Sequence, residues 1–261
     1  MVATVRTGFS ALAPALDALA AAAGRHGAGA VHGLEPGLVV TDPTGWLPAT
    51  ALASDTVLDD LLDTAKQRWN APAHVAAALA WKSYSYWVAL PAVLGWAAGR
   101  RVPLMTAGNV LIRYAESQPF LHVGLRRPAV AVLPADPLAG SAGIRVVPDE
   151  AALLSLLRRT LFEGHLAPLV DRLRERARLG RRTLLGSLAS GVAYGISRGA
   201  DAVPGSPRAA ALTLLGALGV ADLVELSELA SRELWVQRRT CCLAFTLPEP
   251  RICAGCCLRT D

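Results

Sequence analysis

Cysteine is confined to one short segment of this chain. All five cysteines lie in the last 21 of the 261 residues, and nothing before that segment contains another. They stand as an adjacent pair, Cys241-Cys242, then Cys253 and Cys256 after a ten-residue gap, and finally Cys257. Such crowding indicates sulfur chemistry rather than packing, because four thiolates are the usual ligands of a structural zinc ion or an iron–sulfur cluster. A four-thiolate site that holds iron–sulfur or zinc is therefore the natural interpretation of this segment.

The cysteine spacing discriminates among three kinds of site. A disulfide framework is disfavoured because the count is odd and adjacent cysteines pair only through a strained ring. Zinc usually takes two C-x-x-C knuckles, and only Cys253–Cys256 has that form. A [2Fe–2S] cluster needs four thiolates, and Gly255 allows a tight turn that aims amide N–H groups at sulfur. Four arginines lie nearby in the sequence: Arg238, Arg239, Arg251 and Arg259. Their positive charge would raise the reduction potential of a cluster; the alternative is that they only keep the chain end soluble.

Composition and charge narrow the class of protein. The hydrophobic fraction is 52% and the charged fraction 18%, which excludes a disordered chain. The net charge is +5, and eight arginines lie between Arg158 and Arg182. Leucines recur between them at roughly helical spacing, which favours the solvated face of amphipathic helices over a nucleic-acid surface. No nucleic-acid-binding motif accompanies them, so we expect no nucleic-acid partner.

The apolar stretches are too short or too interrupted to cross a membrane. Residues 11–23 have apolar side chains at helical spacing, and Asp17 interrupts the run, which predicts an amphipathic helix rather than a signal peptide. The longest apolar run, 88–98, is short and contains Pro91 and Gly95. We therefore expect no transmembrane segment and a cytoplasmic protein, where free thiols or a thiolate-bound cluster persist.

Hydrophobic periodicity predicts an α+β fold that is predominantly helical. A small antiparallel sheet is expected in the first half, then a helical part, and finally the iron–sulfur tail. The expected units are residues 1–148, 149–236 and 237–261, or one compact unit that contains all three. Predicted helices cover 11–23, 55–69, 73–90, 150–163, 165–179, 181–198, 207–218 and 221–235. Predicted strands cover 38–40, 110–114, 121–125, 129–133 and 144–147.

The cysteine motif resembles that of a known family. The segment Arg238-Arg239-Thr240-Cys241-Cys242-x10-Cys253-x2-Cys256 closely resembles the C-terminal motif of the FhuF-type ferric siderophore reductases. The strong part of the likeness covers residues 238–256, and the rest is similar only in length, tail placement and a Trp/Tyr-rich helix. The resemblance implies a [2Fe–2S] cluster held by Cys241, Cys242, Cys253 and Cys256. Cys257 lies outside the motif, as a bystander or as a substitute for Cys256.

The resemblance also implies a function. An oxidoreductase of this kind acts in iron acquisition: it reduces the Fe(III) of a hydroxamate-type siderophore by one electron in the cytoplasm, and iron leaves as Fe(II). Because the chain has no nucleotide-binding motif, the electron would come from a separate ferredoxin or flavin reductase. Two alternatives stay open. One is a [2Fe–2S] electron-transfer protein that serves another partner, for example a biosynthetic one, and the other is a non-redox binding protein with a zinc tail.

The aromatic segment 81–87 is the best candidate for a substrate-binding wall. Trp81 and Tyr84 share one helix face, while Lys82 and Tyr86 share another. Lys82 is one of only two lysines and lies among aromatic residues. We expect Trp81, Lys82 and Tyr84 to contact the chelate, with Arg239 beside the cluster. The alternative is ordinary helix packing with Lys82 at the surface.

Overall fold

Helices make up most of the secondary structure. The computed structural model describes residues 2–115 and 120–259. Its α-helices are α1 (Val2–His26), α2 (Asp55–Trp69), α3 (Ala73–Gly99), α4 (Glu150–Leu157), α5 (Ala167–Ala177), α6 (Arg181–Arg198) and α7 (Pro207–Leu218). Its strands are β1 (Leu34–Val39), β2 (Leu47–Pro48), β3 (Val102–Pro103), β4 (Val110–Tyr114), β5 (Leu121–Leu125), β6 (Val130–Val132), β7 (Ile144–Val146), β8 (Val224–Glu228) and β9 (Leu234–Arg238). The predicted α+β, predominantly helical class is confirmed.

Helix α3 is the centre of the molecule. Of its 27 residues, 20 are buried, and it packs against α1, α2 and α6. A helix that is apolar on nearly all sides is expected to be enclosed by others. The helix was predicted to end near Leu90, just before Pro91. That end is wrong, because α3 continues through Pro91 to Gly99. An interior proline costs about 3 kcal/mol, and burial of the residues on both sides of it offsets that cost.

Helix α6 lies close to α3 because glycines face it. A Cβ atom on Gly199 would lie 2.5 Å from the side chain of Leu94, and one on Gly195 would lie 2.9 Å from that of Leu90. Both distances are shorter than a normal carbon–carbon contact. Gly195 and Gly199, which directly follows α6, therefore allow the two helices to lie close together, and both helices contribute residues to a groove.

The sheets combine antiparallel and parallel pairs. One has the order β1-β5-β4-β2, the second β3-β6-β7, and the third is the β8-β9 hairpin. The strands predicted in the 110–146 region are confirmed, and β4 pairs antiparallel with β5 as expected. The β1–β5 and β6–β7 pairs are parallel, which the purely antiparallel expectation did not include. Parallel neighbours need a long connection, and α2 and α3 lie between β1 and β5 in the chain.

The last predicted helix, 221–235, is wrong: this region forms strands β8 and β9. Buried and exposed residues alternate along both, so that Val224 and Leu226 are buried while Glu225 is exposed. This period of two belongs to a half-buried strand. The cysteine tail, residues 237–261, therefore begins at a strand rather than at a helix.

A second correction concerns the helices around Gly164. The predicted break there is absent, because a π-helical segment, Arg158–Leu166, joins α4 to α5. The Ala167 N–H donates to the Phe162 carbonyl, five residues back. The wider turn places His165 in the core, where it is 4% exposed.

Most buried apolar residues form one continuous set from Ala11 to Val236, and two small clusters lie beside it, one around Val75 and Leu79 and one around Trp46. The division of the chain near residue 148 stays a prediction. Among the described residues, no helix is long and apolar enough to cross a membrane.

The arginine-rich segment 158–182 carries exposed ion pairs. Arg158 pairs with Glu163, Arg172 with Asp55, and Arg176 with Asp59. Exposed pairs of this kind contribute at most about 1 kcal/mol each. Neighbouring carboxylates thus neutralise part of the segment's positive charge.

Candidate functional site

Hydrogen bonds hold the second half of the cysteine motif against the strand that leads into the first half. The Arg238 N–H donates to the Gly255 carbonyl at 2.9 Å, and the Gln237 side-chain amide donates to the Cys256 carbonyl at 3.0 Å. The Arg239 N–H donates to the Leu223 carbonyl and anchors the start of the tail to the segment before β8. The sequence interval between the cysteine pair and the C-x-x-C unit is therefore closed into a loop.

Gly255 permits this closure by its small size. A Cβ atom there would lie 1.7 Å from the carbonyl oxygen of Val236, in the middle of β9. The sequence favoured a glycine at this position for a tight turn, and the structure adds a steric reason. Only glycine lets the C-x-x-C turn lie directly on the strand.

All five thiols are free and lie near one another. Cys242 and Cys256 are each 6% exposed, and the other three are half-buried. The Leu243 N–H donates to Cys241 Sγ at 3.2 Å. Burial raises the pKa of Cys257 to about 11, and the neighbouring Cys241 and Cys256 add to that effect. Thiols that perturb each other's ionisation share one small volume.

The positive charges around the thiols favour thiolate. Burial opposes ionisation of Cys242, but the charges of Lys82 and Arg238 and nearby backbone N–H groups outweigh it, so its pKa is lowered. For Cys253 burial prevails, and its pKa is raised although the same two charges act against it. Within the described ranges, no three His, Cys, Asp or Glu side chains are placed as a formed metal site. The thiols are thus neighbours in a basic environment rather than a preformed coordination shell.

A groove of about 680 Å³ opens beside Cys242 and Cys253. That volume is typical of small-molecule sites. One wall comes from α3, another from α6, and the third from the cysteine tail. Its basic residues are Lys82, Arg198, Arg238 and Arg251, and its large aromatic residues are Trp69, Tyr86, Trp87 and Tyr194. No Asp or Glu is among the described residues that line it.

The four cations differ in how they are held. Arg238 is 2% exposed; its Nη2 donates to Ser187 Oγ at 3.2 Å, while Nε and Nη1 have no partner. Arg198 donates to the Tyr86 hydroxyl at 2.7 Å and lies over its ring. Neither Lys82 nor Arg251 forms a side-chain ion pair with any described residue. Lys82 and Arg251 therefore keep hydrogen-bonding capacity for a ligand, and the two unpartnered nitrogens of Arg238 are buried.

Only part of the predicted substrate wall faces the groove. Lys82 lines it, as does Tyr86, which was placed on the same helix face. Trp81 and Tyr84 are 1% exposed and do not line it, so their assignment as chelate contacts is corrected. The Trp81 indole N–H donates to the Leu184 carbonyl at 2.7 Å. Successive helix residues are about 100° apart, so the face opposite Lys82 packs into the core.

Arg239 also lies outside the groove. Its guanidinium is exposed and pairs with Glu225 at 2.6 Å. Arg238, its neighbour in the chain, takes the position beside the thiols instead. In a strand, successive side chains point to opposite faces, which separates the two arginines.

Several groove residues on other elements could not be predicted from the sequence. Tyr194 and Arg198 are one helical turn apart on α6, which predicts a shared face but not its neighbour. Trp69, the last residue of α2, likewise carries no signal that it would meet the cysteine tail. Trp69, Tyr194 and Arg198 enter the site through tertiary packing alone.

Tyr84 instead belongs to a buried pair with His165. The Tyr84 hydroxyl and His165 Nε2 are 2.6 Å apart, and His165 Nδ1 lies 2.6 Å from the Met105 carbonyl. A carbonyl only accepts, so Nδ1–H donates to it and the hydroxyl donates to Nε2. A smaller cavity of about 200 Å³ lies beside the pair. All these polar groups are satisfied within the protein.

Protonation of His165 is expected to destabilise the fold in acid. Burial lowers its pKa from 6.5 to about 4, so the unfolded chain binds a proton between those values that the folded chain does not. Stability should therefore fall as pH drops from 6.5 to about 4, by roughly 3 kcal/mol. Urea unfolding across this range should show a shallower pH dependence for His165→Gln, and equal slopes for both proteins would contradict the assignment.

The chain was compared with known proteins. No model of a known protein family matches it, and a search of curated proteins finds no match.

Proposed function

We propose that this protein is a ferric-siderophore reductase whose substrate occupies the groove. The observation that carries the proposal is the lining of the groove, in which Cys242 and Cys253 lie among four cations and several aromatic side chains. A ferric chelate bound there would lie directly beside the sulfur atoms. One-electron transfer requires this proximity and no bond-breaking group.

Four thiols are the proposed ligands of a [2Fe–2S] cluster: Cys241, Cys242, Cys253 and Cys256. The support is chemical, since the donor set is all sulfur and a backbone N–H already points at one of the sulfurs. The two unpartnered guanidinium nitrogens of buried Arg238 add to it, because a buried charged donor needs an anionic partner. When bound, such a cluster supplies one electron at a time.

The surrounding residues would bind and orient the chelate. Lys82 and Arg251 attract oxygen-rich or anionic groups, and the Tyr194 hydroxyl offers a hydrogen bond. Trp69 and Trp87 pack against the apolar arms of a siderophore. Fe(III) gains one electron and becomes Fe(II), which hard oxygen ligands hold far less tightly. A separate donor, a ferredoxin or flavin reductase in the cytoplasm, replaces the electron.

The proposal is tested by mixing anaerobically reduced protein with a ferric trihydroxamate in a stopped-flow spectrometer. We expect loss of the ferric hydroxamate absorbance with one iron reduced per electron delivered. Lys82→Ala should slow the reaction roughly tenfold at low chelate concentration, because the attraction of one cation is lost. The matched control is Lys66→Ala, which removes the only other lysine, on α2 and paired with Asp63.

Three outcomes would each refute part of the proposal. A colourless protein that carries zinc would exclude the cluster, and a cluster that passes electrons to no ferric chelate would favour another redox partner. Equal rates for Lys82→Ala and wild type would remove the groove as the docking site.

A further inference from the structure

The charge of the groove exceeds what the thiols can balance. We propose that the groove selects ferric chelates that carry net negative charge over neutral chelates of the same size; this inference rests on the proposed function. The lining contains four cations and, among the described residues, no carboxylate. Several arginines elsewhere on the surface pair with carboxylates, as Arg239 does with Glu225, whereas none of the four groove cations forms an ion pair with a described residue.

The cations divide into two groups by position. Arg238 is buried beside the thiols, whereas Lys82 and Arg198 are half-buried and Arg251 is exposed. Lys82 reaches the groove from α3, Arg198 from α6, and Arg251 from the loop between the two cysteine pairs. These three charges remain for the ligand.

The net charge of the occupied site also leaves a positive surplus. Four thiolates, two ferric ions and two sulfides carry a net charge of about −2, and one electron makes it about −3. Four cations exceed either value, so the occupied site stays positive before and after the electron arrives. Because the groove partly encloses its ligand, water and salt screen this surplus less than on an open surface. A negative chelate is therefore favoured at both stages.

The size of the groove permits such a ligand. About 680 Å³ accommodates a compact hexadentate chelate, and the aromatic residues line the α2, α3 and α6 sides. Arg251 lines the groove and is exposed, so its charge is accessible to a ligand in solution. Selection should thus appear in binding itself, independent of electron transfer.

Gallium chelates isolate binding from reduction. Ga(III) matches Fe(III) in charge and size but accepts no electron here, so affinity is measured on the oxidised, cluster-loaded protein by quenching of tryptophan fluorescence. The probes are a neutral Ga(III) trihydroxamate and a Ga(III) dihydroxamate–hydroxycarboxylate with net negative charge. We expect the negative complex to bind about tenfold more tightly at low salt, and the ratio to shrink as salt is added.

Two substitutions test whether the charge that selects the negative chelate lies in the groove. Arg251→Gln should reduce the preference severalfold, because one of the charges that attract the negative complex is lost. Arg145→Gln, an exposed arginine on β7, is the matched control and should leave both affinities unchanged. Equal binding of the two complexes overturns the charge selection but leaves the proposed function standing. If neither complex binds, the proposed function itself fails, and if Arg251→Gln keeps the full preference, the selecting charge is not in this groove.

Discussion

Cys256→Ser is expected to abolish or strongly alter the proposed [2Fe–2S] cluster, whereas Cys257→Ser should retain it. Cys256 is 6% exposed, its N–H donates to the Cys253 carbonyl, and its own carbonyl accepts from Gln237. This position fixes its sulfur in the tail, and serine is a poor ligand for iron that prefers thiolate. We expect about two iron atoms and two sulfides per chain in the wild type, and little of either in Cys256→Ser.

The two variants form a matched pair because they make the same change at adjacent residues. Iron, acid-labile sulfide and the visible spectrum of anaerobically purified protein are the measurements. The same loss is expected for serine at Cys241, Cys242 and Cys253. The reverse result, loss in Cys257→Ser and retention in Cys256→Ser, would show that Cys257 is the fourth ligand.

Gly255→Ala is expected to detach the C-x-x-C turn from β9. The added Cβ would lie 1.7 Å from the Val236 carbonyl oxygen and 2.8 Å from its carbon. These are backbone atoms of a paired strand, so they cannot rotate away as a side chain would. We expect a loss of stability of about 3 kcal/mol, or a displaced turn that no longer retains iron. Thermal unfolding and iron content together measure both.

The control for this change is Gly216→Ala. Gly216 lies on the exposed side of α7 with nothing within 4 Å of an added Cβ. Alanine there should stabilise the helix by about 0.5–1 kcal/mol. Wild-type stability together with wild-type iron content in Gly255→Ala would mean that the turn does not lie against the strand.

Local patterns predicted most of the elements. Helix α2 begins at Asp55 and ends at Trp69 as expected, and Asp149 caps α4 by accepting from the Ala152 N–H. The predicted strand limits of β4 and β5 are those observed. These features depend on residues near one another in the chain, which is why periodicity and capping chemistry reveal them.

The errors occurred where packing overrides local preference. Residues 221–235 contain good helix formers, yet the alternation of buried Val224 and Leu226 with exposed neighbours produces a strand against α6 and α7. The helix through Pro91 persists because neighbours enclose it. In both places the deciding contacts come from distant residues.

The sequence alone determined the chemistry at the chain end: five sulfurs, their spacing, a glycine between two of them and arginines beside them. Only the tertiary structure decided which side chains meet those sulfurs. A helix presents its faces in all directions, and the packing of α3 against α6 turned Lys82 and Tyr86 toward the cysteines while it buried Trp81 and Tyr84. The same packing brought Arg198 to the groove, because its position depends on the separation of two helices and not on its neighbours in the chain.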